Sequence, residues 1–242
     1  MKKSVLSQLI ACLALVALFT ATVEAQHSNK IPSSLSGKAR EYYAGAIQDD
    51  DYSQLALAVC YQNGEGAPQD YNQAVYWYQK AAEKGNAIAQ YNLGVIYDEG
   101  SHVPRDYNLA ALWYERAAMQ GDALAQCGIG SCFFNGEGRK QDYNKAFSWF
   151  EKAAMQGNAV GQRCLGICYD EGKGVKKNQK KAAEWYLKAA EQGDCDAQYN
   201  LGVLYYDGKG VKKNKNTAAE WLSKAAAQGD EDAKELLMKI KK

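Results

Sequence analysis

Few side chains in this 242-residue chain could carry chemistry: 7 Cys, 2 His and a scatter of serines. Cys164 and Cys168 stand at i and i+4, on one face of a helix, a spacing that would suit metal capture or redox sensing. The rest of such a site is missing from the sequence. There is no C-x-x-C, and the histidines are His27 and His102, so a closed zinc site would have to be assembled from scattered thiols. No Ser has Lys three residues on, so the serine nucleophile with a lysine one helical turn away is absent. No G-x-S-x-G elbow, Walker loop or H-E-x-x-H occurs either. The expectation is a chain with no catalytic residue, no metal site and no cofactor, in which His102 is a loop residue.

The elements that position these residues follow from one period. Trp77, Trp113, Trp149, Trp185 and Trp221 stand 36 residues apart without a gap. The same step generates Gly85 to Gly229, the Ala pairs from Ala81 to Ala225, and Gly94, Gly130, Gly166 and Gly202, each followed three residues later by Tyr or Phe. Of 22 glycines, 18 fall on four phases of that period, so the chain is a repeat array and is read as one before anything else.

Each unit can be built locally. In Asn86 to Gly121, Gly85 ends one helix and Asn86 caps the next, a role repeated by Asp122, Asn158, Asp194 and Asp230. Ala89, Leu93 and Tyr97 share one face of a first helix. Gly94 costs about 1 kcal/mol in a helix, so it implies close approach of a neighbour. After a Gly-containing turn, Asp70, Asp106, Asp142, Asn178 and Asn214 cap a second helix carrying the Ala and Trp positions. The tryptophans, Trp149 among them, are expected to be buried. Two short helices cannot bury their faces alone, so the units must stack into an all-α, α/α solenoid of helix-turn-helix repeats. Cys60, Cys132 and Cys168 share a repeat position with Ile96 and Leu204, which favours packed thiols over a sensor.

Compartment is read from the N-terminus. Residues 1–25 carry Lys2 and Lys3, an apolar run from about Leu9 to Phe19 and small residues before Gln26, the features of a secretory signal cleaved near Ala25. The apolar run is short of the ~20 residues a spanning helix needs. A lipobox-like Leu9-Ile10-Ala11-Cys12 is the competing reading. The expected organisation is signal peptide 1–25, leader 26–48 with a flexible stretch over 26–36, and solenoid 49–242 of about five units closed by a polar helix at about 231–241. Localisation is expected to be secreted or periplasmic. An even count of six mature Cys would permit disulfides, although their spacing does not form a dense framework.

The run Ala89-Gln90-Tyr91-Asn92-Leu93-Gly94-Val95-Ile96-Tyr97, followed by a Gly turn, a capping Asp, Trp and Lys-Ala-Ala-x-x-Gly in later units, resembles the Sel-one-like repeat (SLR) branch of the tetratricopeptide-like proteins. The resemblance covers about 50–235 and is fullest from Cys164 to Gly193. It implies a right-handed superhelix that binds a protein or peptide, in bacterial members often after export, in envelope or host-interaction processes. By the same resemblance the concave groove is lined by non-recurring first-helix positions: Tyr91, Asn92, Val95 and Asp98; Ser131 and Phe134; Arg163 and Asp170; Tyr199, Asn200 and Tyr206. Several of these, Val95 included, could equally be packing residues. The second unit departs from the pattern, with Ser101-His102-Val103-Pro104 in place of Gly-x-Gly, and its loop should take another path.

Charge is balanced overall at +1, which gives no global drive toward nucleic acid, but residues 27–120 hold 7 basic and 11 acidic side chains and residues 121–242 hold 20 and 16. The expected partner is a protein or peptide, with no nucleic acid, and with membrane contact only through the signal peptide or peripherally. The expected role is an exported, non-enzymatic scaffold. The alternatives are a β-lactam or peptidoglycan-processing hydrolase, and a thiol redox or metal sensor.

Overall fold

A computed structural model describes residues 30–240, among which there are twelve helices and no strand. The signal reading of residues 1–25, with Cys12 and His27, lies outside the described residues. Contacts cluster into two compact units that part between Arg105 and Asp106. The first holds α1 Gly37–Ala46, α2 Asp51–Asn63, α3 Tyr71–Glu83 and α4 Ala87–Glu99. The second holds α5 Tyr107–Met119, α6 Ala123–Asn135, α7 Tyr143–Met155, α8 Ala159–Glu171, α9 Gln179–Glu191, α10 Cys195–Asp207, α11 Lys215–Ala227 and α12 Glu231–Ile240. Within each unit every helix packs on the next in sequence, the arrangement of an all-α helical-repeat solenoid.

The local signals act as their chemistry requires. Asp70, Asp106, Asp142 and Asn214 each accept hydrogen bonds from the two amides at the second and third positions of the following helix, and Asn178 from one. Asn86, Asp122, Asn158 and Asp194 do the same for the alternate helices, each cap stabilising its helix by about 1 kcal/mol. Gly64, Gly100, Gly136, Gly172 and Gly208 end α2, α4, α6, α8 and α10 in the left-handed conformation.

The helix glycines mark close approach. A Cβ on Gly130 would lie 2.5 Å from the Phe150 ring, one on Gly166 2.6 Å from Tyr186, and one on Gly202 2.7 Å from Leu222. Each of these is a first-helix glycine pressed on a residue of the second helix of its own pair. Beside them Leu93, Ile129, Leu165 and Leu201 are fully buried.

Two regions differ from the sequence reading. Inside the stretch 26–48 read as a leader, Leu35, Ala39, Tyr43 and Ala46 follow a helical period and are buried, so Gly37–Ala46 forms α1 and packs on α2. Trp149 is only half-buried, unlike Trp77 and Trp113 at 3% and 7% exposure. Its ring is covered by Lys152, whose Nζ stands 4.0 Å from the ring centroid; Lys188 on Trp185 and Lys224 on Trp221 repeat the arrangement at 4.0 and 3.9 Å. The Trp phase therefore runs from core to edge, and from Trp113 onward the cation three residues on lies over the ring, Arg116 at 4.7 Å in the first case. The final helix α12 buries Ala233 and partly buries Leu236, Leu237 and Ile240 against α11.

Candidate binding face

The residues expected to line a groove lie on the first helix of each pair: Tyr91, Asn92, Val95 and Asp98 on α4, Ser131 and Phe134 on α6, Arg163 and Asp170 on α8, Tyr199, Asn200 and Tyr206 on α10. All eleven are half-buried. Their environments nevertheless divide them. Arg163 is committed within the chain, its Nε 3.1 Å from Asp194 and its Nη1 3.1 Å from Asp196. Asp170 accepts a bond from Gln179 Nε2 at 3.2 Å. Tyr199 and Tyr206 pack against the cluster that seats α12, and the Tyr206 ring lies 5.6 Å below Lys213 Nζ. Phe134 meets Tyr143 edge-on at 5.2 Å, and Lys173 Nζ stands 4.6 Å over Phe134 and 5.3 Å over Tyr143. That aromatic pair with its cation is a surface on which a partner side chain can stack.

In the first unit the same face is hollow. A cavity of about 150 Å³ is lined by Asn92 and Val95 of α4 with Gln62, Tyr71, Ile96, Glu99, Ser101 and His102. Its wall is a hydrogen-bonded chain, since Tyr78 Oη donates to Gln62 Oε1 at 2.5 Å and also bonds Asn92. His102 stacks on Tyr71 with ring centroids 3.4 Å apart and planes 12° from parallel.

The reason for the hollow is the loop departure read from the sequence. In the second unit Gly138 and Gly174 occupy the phase of His102, with φ of +65° and +71°. A Cβ there would overlap main-chain oxygen, 1.8 Å from Tyr107 O and 2.0 Å from Tyr143 O. Histidine cannot sit in that place. The loop at 100–105 takes another path, and the imidazole lies flat on Tyr71, the residue of the first unit in the phase of Tyr107 and Tyr143.

A second set of functional positions escaped the sequence reading. Gln54, Gln90, Gln126, Gln162 and Gln198 are 36 residues apart and 2–6% exposed. Each donates its Nε2 to the carbonyl eight residues upstream, at Ala46, Ala82, Ala118, Ala154 and Ala190, which satisfies a terminal acceptor of the preceding helix. In the second unit their Oε1 atoms accept from Gln156, Gln192 and Gln228 at 2.8, 2.8 and 2.9 Å. Periodicity of identical residues was the available signal. A search for apolar stripes passes over it.

The cysteines mostly occupy packed positions. The six among the described residues stand outside any disulfide, and Cys60, Cys127, Cys132 and Cys168 are buried. Burial pushes the Cys127 and Cys168 thiols up to about 12 and Cys164 up to about 11, the last against the opposing effect of Arg163. Such thiols stay protonated at neutral pH and are poor nucleophiles. No group of three or more potential metal ligands occurs among the described residues. No helix among them is long and apolar enough to cross a membrane.

Comparison with known proteins agrees with this geometry. The Sel1 repeat model matches five consecutive segments, 51–86, 87–122, 123–158, 159–194 and 195–230. A search of curated proteins returns no match. Among solved structures, the chain is similar to a protective antigen of uropathogenic Escherichia coli strains displaying an SLR fold, with 38% identity and a TM-score of 0.78 over 84% of this chain and 43% of that one. It therefore spans less than half the length of that relative. It is also similar to a Sel1 repeat protein from Oxalobacter formigenes, with 33% identity and a TM-score of 0.76 over 81% of this chain and 78% of that one. Proteins of this fold are generally non-enzymatic scaffolds for protein-protein interaction. With five matched repeats, and the caps, close-packed glycines and buried leucines of each pair accounted for, the chain belongs to the Sel1-repeat family.

Proposed function

We propose that this protein is an exported, non-enzymatic scaffold that holds an extended protein or peptide segment against the first-helix faces of its repeats. The observation that carries the reading is the contrast along those helices. Recurring positions are buried, while the non-recurring ones at the same phases, from Tyr91 and Asn92 to Phe134 and Asn200, are all half-buried and offer rings and amides. A peptide backbone can meet the amides while its side chains stack on the rings. Export rests on the signal-like residues 1–25.

The test is partner and peptide capture by the wild-type chain against a Tyr91→Ala, Tyr199→Ala double variant whose helicity and melting are checked in parallel. Capture by the wild type with at least a tenfold loss in the variant is expected; equal recovery sinks the groove reading. N-terminal sequencing of protein recovered outside the cytoplasm should begin at Gln26. Turnover of a chromogenic β-lactam above a heat-denatured control would overturn the non-enzymatic assignment.

A further inference from the structure

We propose that the cavity of the first unit receives the side chain of a lysine or arginine from the bound protein segment, a specificity site that deepens, and rests on, the scaffold reading above. The argument starts from Glu99. At its repeat phase the other four residues are all engaged with the side chain two positions on. Asn63 bonds Glu65 at 3.5 Å and Asn135 bonds Glu137 at 3.1 Å, while Glu171 pairs with Lys173 at 2.7 Å and Asp207 with Lys209 at 2.6 Å. Two residues after Glu99 stands Ser101, which cannot neutralise a carboxylate. The Glu99 carboxylate has no ion pair or hydrogen bond with the described residues. Arg105 is close by, but its Nε and Nη2 go to the Glu99 main-chain carbonyl, at 3.3 and 2.9 Å.

The residue next to Ser101, His102, makes the space. With His102 displaced onto Tyr71, about 150 Å³ opens beside Glu99. This is well beyond the space one water needs and admits an extended side chain. Val95 and the Tyr71 ring offer apolar contact to a methylene stem, and the Asn92 and Gln62 amides are also in the wall. An ammonium or guanidinium placed at Glu99 and Ser101 would gain charge-assisted bonds there. Glu99 is exposed, so an acidic side chain would be repelled there and a purely apolar one would gain no charge-assisted bond. Residues 30–105 hold 6 basic and 9 acidic side chains, so the surroundings favour the same sign of ligand.

The probes are N-acetyl-lysine-amide and N-acetyl-arginine-amide, titrated into the full, isotope-labelled chain by NMR, with N-acetyl-norleucine-amide as the uncharged control. Saturable shifts at the amides of Asn92, Val95, Ser101 and His102 are expected, together with at least a fivefold loss of affinity in Glu99→Gln. No comparable shift is expected around Glu171, whose carboxylate is already paired. Absence of shifts, equal shifts from norleucine, or an undiminished response in Glu99→Gln would each overturn the inference. Because the probes need no longer partner, failure here is read separately from failure of the Tyr91 and Tyr199 double variant to lose peptide capture.

Discussion

The two compact units obey one repeat rule and differ in how strictly they keep it. In the second, Gly138, Gly174 and Gly210 fold three successive turns tightly onto main chain, glutamine pairs join helix ends, and lysines lie over the outer tryptophans. In the first, Trp77 is buried against the edges of Tyr43 and Tyr76, the turn at 100–105 is opened by His102, and Lys84 stands where the glutamine partner would be. The difference teaches that the regular turns hold the array together, whereas the irregular one makes room. A carboxylate and a cavity occur together where the pattern lapses.

Tryptophan truncation should separate the first unit from the later repeats of the second most strongly. Trp77→Ala is expected to cost about 3–5 kcal/mol, as for a large buried ring, and Trp149→Ala about half that. Urea unfolding of both variants checks it, and equal costs would erase the core-to-edge trend. Next comes an exchange of turn residues. Gly138→His should cost about 3 kcal/mol or more, since it combines a left-handed φ with main-chain overlap, while His102→Gly should change stability by no more than about 1 kcal/mol. Thermal melts that ranked the two in the opposite order would break the comparison.

The glutamines provide a finer test. Gln126→Leu strands the Ala118 carbonyl and the Gln156 amide together and should cost about 1–3 kcal/mol. Gln54→Leu strands the Ala46 carbonyl and loses a part-buried bond to Asp49 but leaves no glutamine amide unpaired, since Gln54 Oε1 lacks a partner, and should cost less. The smallest effect expected is a gain. Lys84→Gln supplies a donor to Gln54 Oε1, contributing up to about 1 kcal/mol, and gives up a surface ion pair with Asp49 that stabilises little. A lower urea midpoint for Lys84→Gln would show that the two units do not share the linkage.

Most of the fold was legible because its determinants are local. Caps such as Asp70 and Asn86, and glycines such as Gly130, act within a few residues or at a fixed phase, and the structure places them as their chemistry requires. The solenoid follows from that phase alone. Burial of α1 was not legible from the period, since Gly37–Ala46 precedes the first repeat and has no phase to be matched. The even burial of the tryptophans failed for a different reason. A ring's exposure depends on what covers it, and the lysine three residues on is a surface residue in any sequence reading. For the binding face, the helix and phase of Tyr91, Asn92 and Phe134 could be read, while the commitments of Arg163 and Asp170 to neighbours 31 and 9 residues away required coordinates. The hollow beside Glu99 was half legible. The altered loop was visible in Ser101-His102-Val103-Pro104; the missing counter-ion appeared only when the phase was compared across all five repeats.

The glutamine pairs bear on how such a protein changes over generations. Each joins residues 30 apart in sequence, and each is made from two phases of the same period. Duplicating or deleting a whole 36-residue segment within 123–230 recreates every pair at the new junction, with no donor or acceptor left over. A segment of any other length breaks them. Inheritance of length is thereby quantised, in whole-repeat steps that each preserve a closed hydrogen-bond pattern.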